Sequence, residues 1–354
     1  MKDKSILSFI NKWRSEIMGI AILWVVLFHS SVVLPNGLSV VKEIGYGGVD
    51  IFLLLSGCGI YCSLNKLRDT VSFYKRRIKR IMPAYLPFIL LWCGYKLSQY
   101  SLEPIEALRV VVGNLCMTGW INDVQYQFNW YVQVICALYF LTPVFYDLIQ
   151  ACQKNWQYVL LFMISVVAGI PFFCDLTHLM GASRVPIFLL GMLWGHGACQ
   201  KECDIRKKGI REILIMGMVL GFAVLFMCIY RYPETLWAYG TWWYPYLLIT
   251  PGLCYILSLV FELGEWIKLG KVVLLPLKWI GKASFEIYLV HIAAYDLAQQ
   301  YRGDLNNRQW LKLMLAAIVV GIGYHLIIEG LKKHLAKPSG LSTQRKKDYN
   351  EKDK

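Results

Sequence analysis

The chain is a succession of long apolar runs separated by short polar segments. Ten runs reach or approach the roughly 20 residues that an α-helix needs to cross a hydrocarbon core of about 30 Å. The runs lack the alternation of barrel strands, and an open sheet in lipid leaves backbone groups unpaired. The pattern predicts an all-α, polytopic membrane bundle of ten transmembrane helices, over residues 16–35, 45–63, 81–98, 130–148, 157–174, 185–199, 213–230, 243–262, 284–300 and 309–330.

An eleventh apolar segment, 105–121, is interrupted by Arg109, Gly113 and Asn114. Cytoplasmic segments are enriched in Lys and Arg, so the charge distribution decides whether this segment crosses the membrane. With ten spans and a cytoplasmic N-terminus, 29 of the 37 basic residues lie inside, whereas an eleventh span leaves 16 inside. We therefore predict ten spans, both termini cytoplasmic, and 105–121 as a re-entrant or interfacial helix at the outer face.

Composition supports this picture and narrows the partners. The chain is 57% hydrophobic and 17% charged, which argues against a soluble domain of this size. The net charge is +14, and the basic residues that cause it lie in the loops between spans, next to the membrane lipids. This distribution is typical of a membrane protein and argues against binding of nucleic acid. We predict a membrane domain over 1–332, a basic disordered tail over 333–354, and no metal site, since the eleven cysteines lie mostly in apolar runs.

Two titratable residues lie inside the first two predicted spans. A charged side chain at this depth costs at least ~2.5 kcal/mol, so it indicates a function or a partner. His29 lies five residues before the outer end of the first helix, and Asp50 lies five residues into the second, about 7–8 Å deep in each case. We predict a catalytic His29–Asp50 hydrogen bond that fixes the imidazole tautomer. The alternative is a core histidine and an aspartate that caps its helix beside Gly47 and Gly48.

The run FYKRRIKRIMPAY, residues 73–85, carries five basic residues before a predicted helix. Pro83 suits the first turn of that helix, and Arg77 and Arg80 have i, i+3 spacing. A helix N-terminus and two guanidinium groups together would suit phosphates. The alternative is ordinary positive-inside charge in contact with anionic lipid.

Further candidates lie in later spans or next to them. His291 is about seven residues into its helix, where an ionisable group needs a reason. Trp130, Tyr131 and Arg184 are candidates for an acceptor site, although an aromatic belt at the membrane interface explains the two aromatic residues equally well. We expect these four residues to bind substrate.

In this order, several motifs resemble the membrane acyltransferase 3 family, which includes O-antigen and exopolysaccharide O-acetyltransferases. The resemblance implies about ten spans and transfer of an acyl group, usually acetyl, from cytoplasmic acyl-CoA to a hydroxyl of an outward-facing glycan or lipid-linked sugar. It implies that His29 is the essential first-helix histidine and that Arg77 and Arg80 form an RxxR motif at the CoA site. The motifs are MGIAILWVVLFH, GGVDIFLLLSG, FYKRRIKRIMPAY, FNWYVQVICALYFLTPVF, SRVPIFLLGMLWG and IGKASFEIYLVH.

One position departs from the family pattern. The family usually carries a basic residue eleven positions before the histidine, where this chain has Met18. Arg14 stands one helical turn earlier on the same face, so it is a candidate substitute in donor binding.

The resulting prediction is a multi-pass O-acyltransferase of the bacterial inner membrane. Acetyl-CoA is its co-substrate, and His29 is either the general base or a transient acyl carrier. Three alternatives remain: a proton-coupled transporter using the His29–Asp50 pair, a non-catalytic membrane partner in polysaccharide assembly, and the membrane part of an amino-acid racemase system.

Overall fold

The computed structural model describes residues 6–122, 124, 126–128, 130–172, 175–200, 209–231, 242–302 and 305–335. Within these ranges the protein is helical and has no strand, which confirms the all-α prediction. The α-helices are α1 Ile6–Lys12, α2 Arg14–His29, α3 Ser39–Glu43, α4 Gly48–Lys66, α5 Thr70–Gln99, α6 Pro104–Leu115, α7 Trp130–Ala151, α8 Asn155–Val167, α9 Leu176–Ala182, α10 Val185–Cys199, α11 Ile210–Arg231, α12 Tyr246–Trp266, α13 Lys268–Lys282, α14 Ser284–Arg302 and α15 Asn307–Leu335.

Within the described residues, five helical segments are long and apolar enough to cross a membrane. They are Gly45–Lys66, which adds a 3₁₀ turn to α4, Trp130–Ala151, Ile210–Arg231, Tyr246–Trp266 and Asn307–Leu335. The other five predicted spans also fall on helices, namely α2, α5, α8, α10 and α14, which are shorter or less apolar. A membrane protein is thus supported by these five helices.

The closest helix pair in the bundle is α4 with α10. A side chain on Gly191 would collide with the Leu54 carbonyl, and one on Gly57 would collide with the Phe188 carbonyl. Backbone therefore lies against backbone, and Leu54 and Phe188 are fully buried beside the contact. Small residues allow this close approach, which yields dense van der Waals packing where lipid supplies no hydrophobic driving force.

The helix that carries His29, α2, is held between α4 and a helix that the sequence did not predict. Residues 268–282, with four lysines, were left as a basic segment between two predicted spans. It is an amphipathic helix packed on the first turns of α2, where Gly19 lies against the Leu277 carbonyl and Gly281 against the Ser15 carbonyl. The apolar face of α13 thus covers the Arg14 end of α2.

The start of α5 differs from the prediction. Asp69 accepts a hydrogen bond from the Val71 amide (3.0 Å), which caps a helix that begins at Thr70. Pro83 consequently lies in the middle of this 30-residue helix instead of in its first turn. The predicted convergence of a helix N-terminus with Arg77 and Arg80 is therefore wrong: both arginines project from an established helix.

Two other predictions concern short or terminal segments. The interrupted segment 105–121 overlaps α6, whose 12 residues extend for about 18 Å, too short to cross the hydrocarbon core. The predicted tail begins at residue 333, but α15 continues to Leu335. Residues 336–354 lie outside the described residues.

Candidate active site

Two cavities lie along α2, and they are named here after His29 and Arg80. The His29 cavity has a volume of about 180 Å³ and mostly aromatic walls. Its lining residues are Val25, Phe28, His29, Tyr46, Val49, Trp130, Met180, Arg184, Trp243 and Tyr288.

The Arg80 cavity lies toward the other end of α2 and has a volume of about 130 Å³. Charged and aromatic side chains share its walls, and Met18 contributes from α2. It is lined by Met18, Phe52, Ser56, Arg80, Ile81, Tyr131, Ile135, Tyr139, Lys282, Ser284, Phe285, Glu286, Tyr288, His325, Glu329 and Lys332.

Tyr288 lines both cavities and forms a shared wall between them. Its ring packs edge-on against Tyr131, with ring centroids 4.9 Å apart, and against His291, with centroids 5.3 Å apart. The residue is almost completely buried. The two cavities therefore meet at this aromatic ring.

His29 is held by two hydrogen-bond partners. Its Nδ1 atom lies 2.9 Å from the Val25 carbonyl oxygen and 3.3 Å from Nε2 of His291. A carbonyl oxygen can only accept, so His29 carries its proton on Nδ1. The same reasoning applies to His291, whose Nδ1 lies 3.1 Å from the Ile287 carbonyl, leaving its Nε2 as an acceptor for His29. Nε2 of His29 is thereby left with its lone pair.

This arrangement suits a general base. His29 is the last residue of α2, and the partial negative charge of a helix C-terminus stabilises a cation there by about 0.3–1 kcal/mol, or up to about 2 kcal/mol when partly buried. The Val25 carbonyl and His291 both remain acceptors for Nδ1–H after Nε2 takes a proton. The two acceptors and the helix C-terminus thus each favour the imidazolium that proton transfer creates.

The structure does not contain the predicted His29–Asp50 hydrogen bond. Asp50 instead faces Arg184, with its Oδ1 atom 3.7 Å from Nε of the arginine. The reason is the offset between helices: Gly48 packs against the Ala21 carbonyl, so α4 starts about two turns short of His29. His291 occupies the position that was expected for the carboxylate.

The two arginines of the RxxR motif are in different surroundings. Arg80 lines the cavity named after it. Arg77 points to a separate, mainly apolar pocket, and its guanidinium lies 5.6 Å from the ring centroid of Phe73 and 5.7 Å from that of Tyr139. Arg80 thus lines the Arg80 cavity, whereas Arg77 does not.

Arg14 crosses from α2 to α4. Its Nη1 atom donates a 2.7 Å hydrogen bond to the Leu55 carbonyl, and its guanidinium lies against Gly59. Met18 lines the Arg80 cavity, whereas Arg14 is not among the residues of its wall. Arg14 thus links two helices next to the cavity, in a different position from the residue that it was predicted to replace.

The Arg80 cavity contains further charged and titratable side chains that were not predicted to bind the donor: one lysine and two pairs. Lys282 comes from α13, and Lys332 forms a 2.9 Å ion pair with Glu329 on α15. His325 Nδ1 lies 3.2 Å from Oε2 of Glu286. The missed helix α13 explains the missed lysine, because a loop assignment gave Lys282 no defined direction.

The predicted substrate residues divide between the cavities. Trp130 and Arg184 line the His29 cavity, Tyr131 lines the Arg80 cavity, and His291 supports His29 from behind. Tyr288 was missed, although it lies three residues before His291 and hence on the same helix face. Tyr46 and Trp243 were also missed in the His29 cavity; they lie in a 3₁₀ turn and in the turn before α12, where spacing gives no direction.

Among the residues that the structure describes, no group of three or more His, Cys, Asp or Glu side chains is arranged to hold a metal ion. The charged and titratable groups described at the two cavities are the histidine pair, the buried Arg184 and the cations of the Arg80 cavity.

The described residues form a helical protein with membrane-length helices and a histidine pair at a cavity, as in an integral membrane enzyme. Comparison with known families makes the assignment specific. The profile of the acyltransferase domain family (Acyl_transf_3) matches residues 18–326, so the chain belongs to this family. The resemblance found in the motifs is thus confirmed.

Curated relatives carry related names at low identity. O-acetyltransferase OatA of Staphylococcus aureus strain MRSA252 is 23% identical over 371 residues, covering 93% of this chain and 58% of the relative. A putative O-acetyltransferase of S. aureus strain COL is 24% identical over 320 residues, covering 80% of this chain and 50% of the relative. The chain thus spans little more than half the length of these proteins. No solved structure matches it.

Proposed function

We propose that the protein is a membrane O-acyltransferase that moves an acetyl group from cytoplasmic acetyl-CoA to a hydroxyl of a cell-surface or lipid-linked carbohydrate. The observation that carries the proposal is the wall that the two cavities share at Tyr288. A general base lies on one side of this wall and a group of cations lies on the other. The family match and the names of the relatives support the acetyl group as cargo.

The proposed topology has ten spans with both termini in the cytoplasm. The basic residues support it, because 29 of 37 then lie inside. In this orientation the Arg80 cavity faces the cytoplasm, where acyl-CoA is found, and the His29 cavity faces outward. The two ends of α2, at Arg14 and His29, are about 22 Å apart. The thioester of acetyl-CoA therefore enters the bundle, while the nucleotide of the donor stays at the cytoplasmic surface.

The donor phosphates bind Arg80 and the lysines beside it. Arg80 and Lys282 line the cavity without an ion pair to a carboxylate among the described residues, whereas Lys332 is paired with Glu329. Charge-assisted hydrogen bonds to phosphate are about twice as strong as neutral ones. Arg77 and Arg14 add positive potential from behind the wall and make no direct contact with the donor.

In the transfer step His29 acts as the general base. Its Nε2 atom takes the proton of the acceptor hydroxyl, whose oxygen attacks the thioester carbonyl. The carbon–sulfur bond breaks, and the CoA thiolate takes up the proton from His29. His291 and the Val25 carbonyl keep the imidazole in the tautomer that this step needs.

Mass spectrometry of surface carbohydrate tests the function. Cells that contain the protein are expected to carry one additional acetyl mass per modified sugar, compared with cells that lack it. His29→Ala should abolish the difference while the protein remains in membranes, and the exposed His334→Ala serves as the matched control. Normal acetylation by His29→Ala would refute the mechanism, and proton uptake that ignores acetyl-CoA would favour a transporter.

A further inference from the structure

Arg184 is the largest side chain that the structure buries almost completely, with 1% of its surface exposed. Among the residues that the structure describes, its Nε and Nη1 atoms have no hydrogen-bond partner. Asp50, equally buried, lies 3.7 Å away, which is an ion-pair contact and exceeds hydrogen-bond length. Buried donors of a charged group are normally satisfied, because leaving one unmade costs about 1–3 kcal/mol or more. These atoms therefore require an explanation.

The guanidinium is fixed in the wall of the His29 cavity. It lies 5.2 Å from the ring centroid of Trp243 and 5.9 Å from that of Trp130, and both tryptophans line the same cavity. Asp50 supports it from α4, outside the cavity wall. Two aromatic rings and one carboxylate thus restrict the orientation of the guanidinium before any substrate is present.

Acyl transfer develops negative charge that the cavity must stabilise. When the acceptor oxygen bonds to the thioester carbon, the carbonyl oxygen becomes an oxyanion. Among the described residues that line the His29 cavity, Arg184 is the only one with a full charge, apart from His29 when it is protonated. A preoriented donor in a site of low dielectric is what stabilises such an oxyanion best.

We propose that Arg184 is the catalytic residue that stabilises this oxyanion, and that Asp50 is a positioning residue that holds the guanidinium. The inference rests on the proposed function and assigns a role within it. The acceptor proton moves to Nε2 of His29 while the new carbon–oxygen bond forms. The guanidinium of Arg184 then donates to the oxyanion until the carbon–sulfur bond breaks and the CoA thiolate leaves with the proton from His29.

The test uses full-length protein in membranes of the source cells, which supply the natural acceptor, with radiolabelled acetyl-CoA as donor. Arg184→Gln should lower kcat by about 100- to 1,000-fold, the usual effect of removing one oxyanion donor, while the KM for acetyl-CoA stays unchanged. Methylguanidinium should restore part of the rate to Arg184→Ala, because it can enter the vacated space. Asp50→Asn should lower kcat less, and Arg231→Gln, an exposed arginine at the end of α11, should have no effect.

A positioning role for Arg184 predicts a different result. The rate of Arg184→Gln would then return to normal when a crude lipid-linked sugar fraction from the source cells is added in excess, and this would overturn the proposal. If Arg184→Gln is missing from membranes, Arg184→Lys replaces it: we expect at least a tenfold loss of kcat with unchanged abundance, and a wild-type kcat would refute the proposal. An active His29→Ala would instead refute the proposed function, so the two failures are distinguishable.

Discussion

His291 places its Nε2 atom 3.3 Å from Nδ1 of His29, so two imidazoles stand in series behind one cavity. His291 is completely buried, and its own Nδ1–H donates to the Ile287 carbonyl oxygen. This relationship resembles the logic of hydrolase triads, in which a third group orients the base, except that a neutral imidazole does the orienting here.

The first prediction concerns this orienting group. His291→Leu should lower kcat at least about tenfold, which corresponds to about 1.4 kcal/mol of transition-state stabilisation, because Nδ1–H of His29 loses an acceptor. The KM for acetyl-CoA should not change, since His291 does not line the Arg80 cavity. Initial rates with radiolabelled acetyl-CoA measure both values. Equal kcat in His291→Leu and the wild type would show that Val25 alone orients the base.

Donor binding can be tested at the Arg80 cavity. Arg80→Ala and Lys282→Ala should each raise the KM for acetyl-CoA roughly tenfold or more, because a hydrogen bond to a charged group contributes about 1.5–3 kcal/mol. Lys79→Ala removes an exposed cation of the same helix that does not line the cavity, and it should leave KM unchanged. Equal effects of all three changes would mean that the donor responds only to the general positive potential.

The shared wall gives a third prediction. Tyr288→Ala joins the two cavities and should let water reach the thioester, so that CoA release exceeds acetyl transfer to carbohydrate. Tyr288→Phe keeps the ring that packs on Tyr131 and His291, and it should keep the two amounts equal. Liquid chromatography of CoA and counting of labelled carbohydrate provide the ratio. A ratio of one in the alanine variant would contradict a separating function of the ring.

Helix packing is open to a stability test. Gly191→Ala puts a methyl group against the Leu54 carbonyl and should lower the free energy of unfolding by about 1–3 kcal/mol, the typical cost of overpacking. Gly323→Ala is the matched control on α15, because open space surrounds that position, and alanine there should stabilise the helix by about 0.5–1 kcal/mol. Thermal unfolding in detergent, followed by circular dichroism, compares them. An equal response would argue against the close α4–α10 contact.

The other end of the same helix pair carries two neighbouring thiols. Cys62 on α4 and Cys199 on α10 have their Sγ atoms 3.1 Å apart. Diamide, which takes up the two thiol hydrogens, should therefore join them in a disulfide, seen as one linked peptide by mass spectrometry without reduction. Cys199→Ser should remove this peptide. Linked peptides that join Cys62 to other cysteines at similar yield would contradict the register of the two helices.

The sequence predicted the helices of the site better than their offsets. His29 was recognised from its depth in an apolar run, and Trp130 and Arg184 from their expected place near the outer face; the structure brings all three to one cavity. The predicted partner of Asp50 was wrong. The position of α4 along α2 depends on how closely Gly48 approaches Ala21, and the length of the connecting loop does not encode that distance.

The predicted ends of helices were wrong where a charged segment is itself helical. The charged run before Pro83 was read as a loop, yet the Asp69 cap and continued backbone bonding extend α5 through it. The lysines of α13 hid an amphipathic helix in the same way. Both errors come from treating charge as a sign of irregular structure, although charged residues with good helix propensity extend helices readily.

The aromatic wall at Tyr288 also bears on the electrical properties of the membrane. A transmembrane potential does about 2.3 kcal/mol of work per elementary charge and 100 mV. On the proposed reaction the phosphates remain on the cytoplasmic side, and the acetyl group that passes the ring is uncharged. The voltage therefore performs no work on the cargo, and a cell can modify its surface without spending or dissipating its ion gradient.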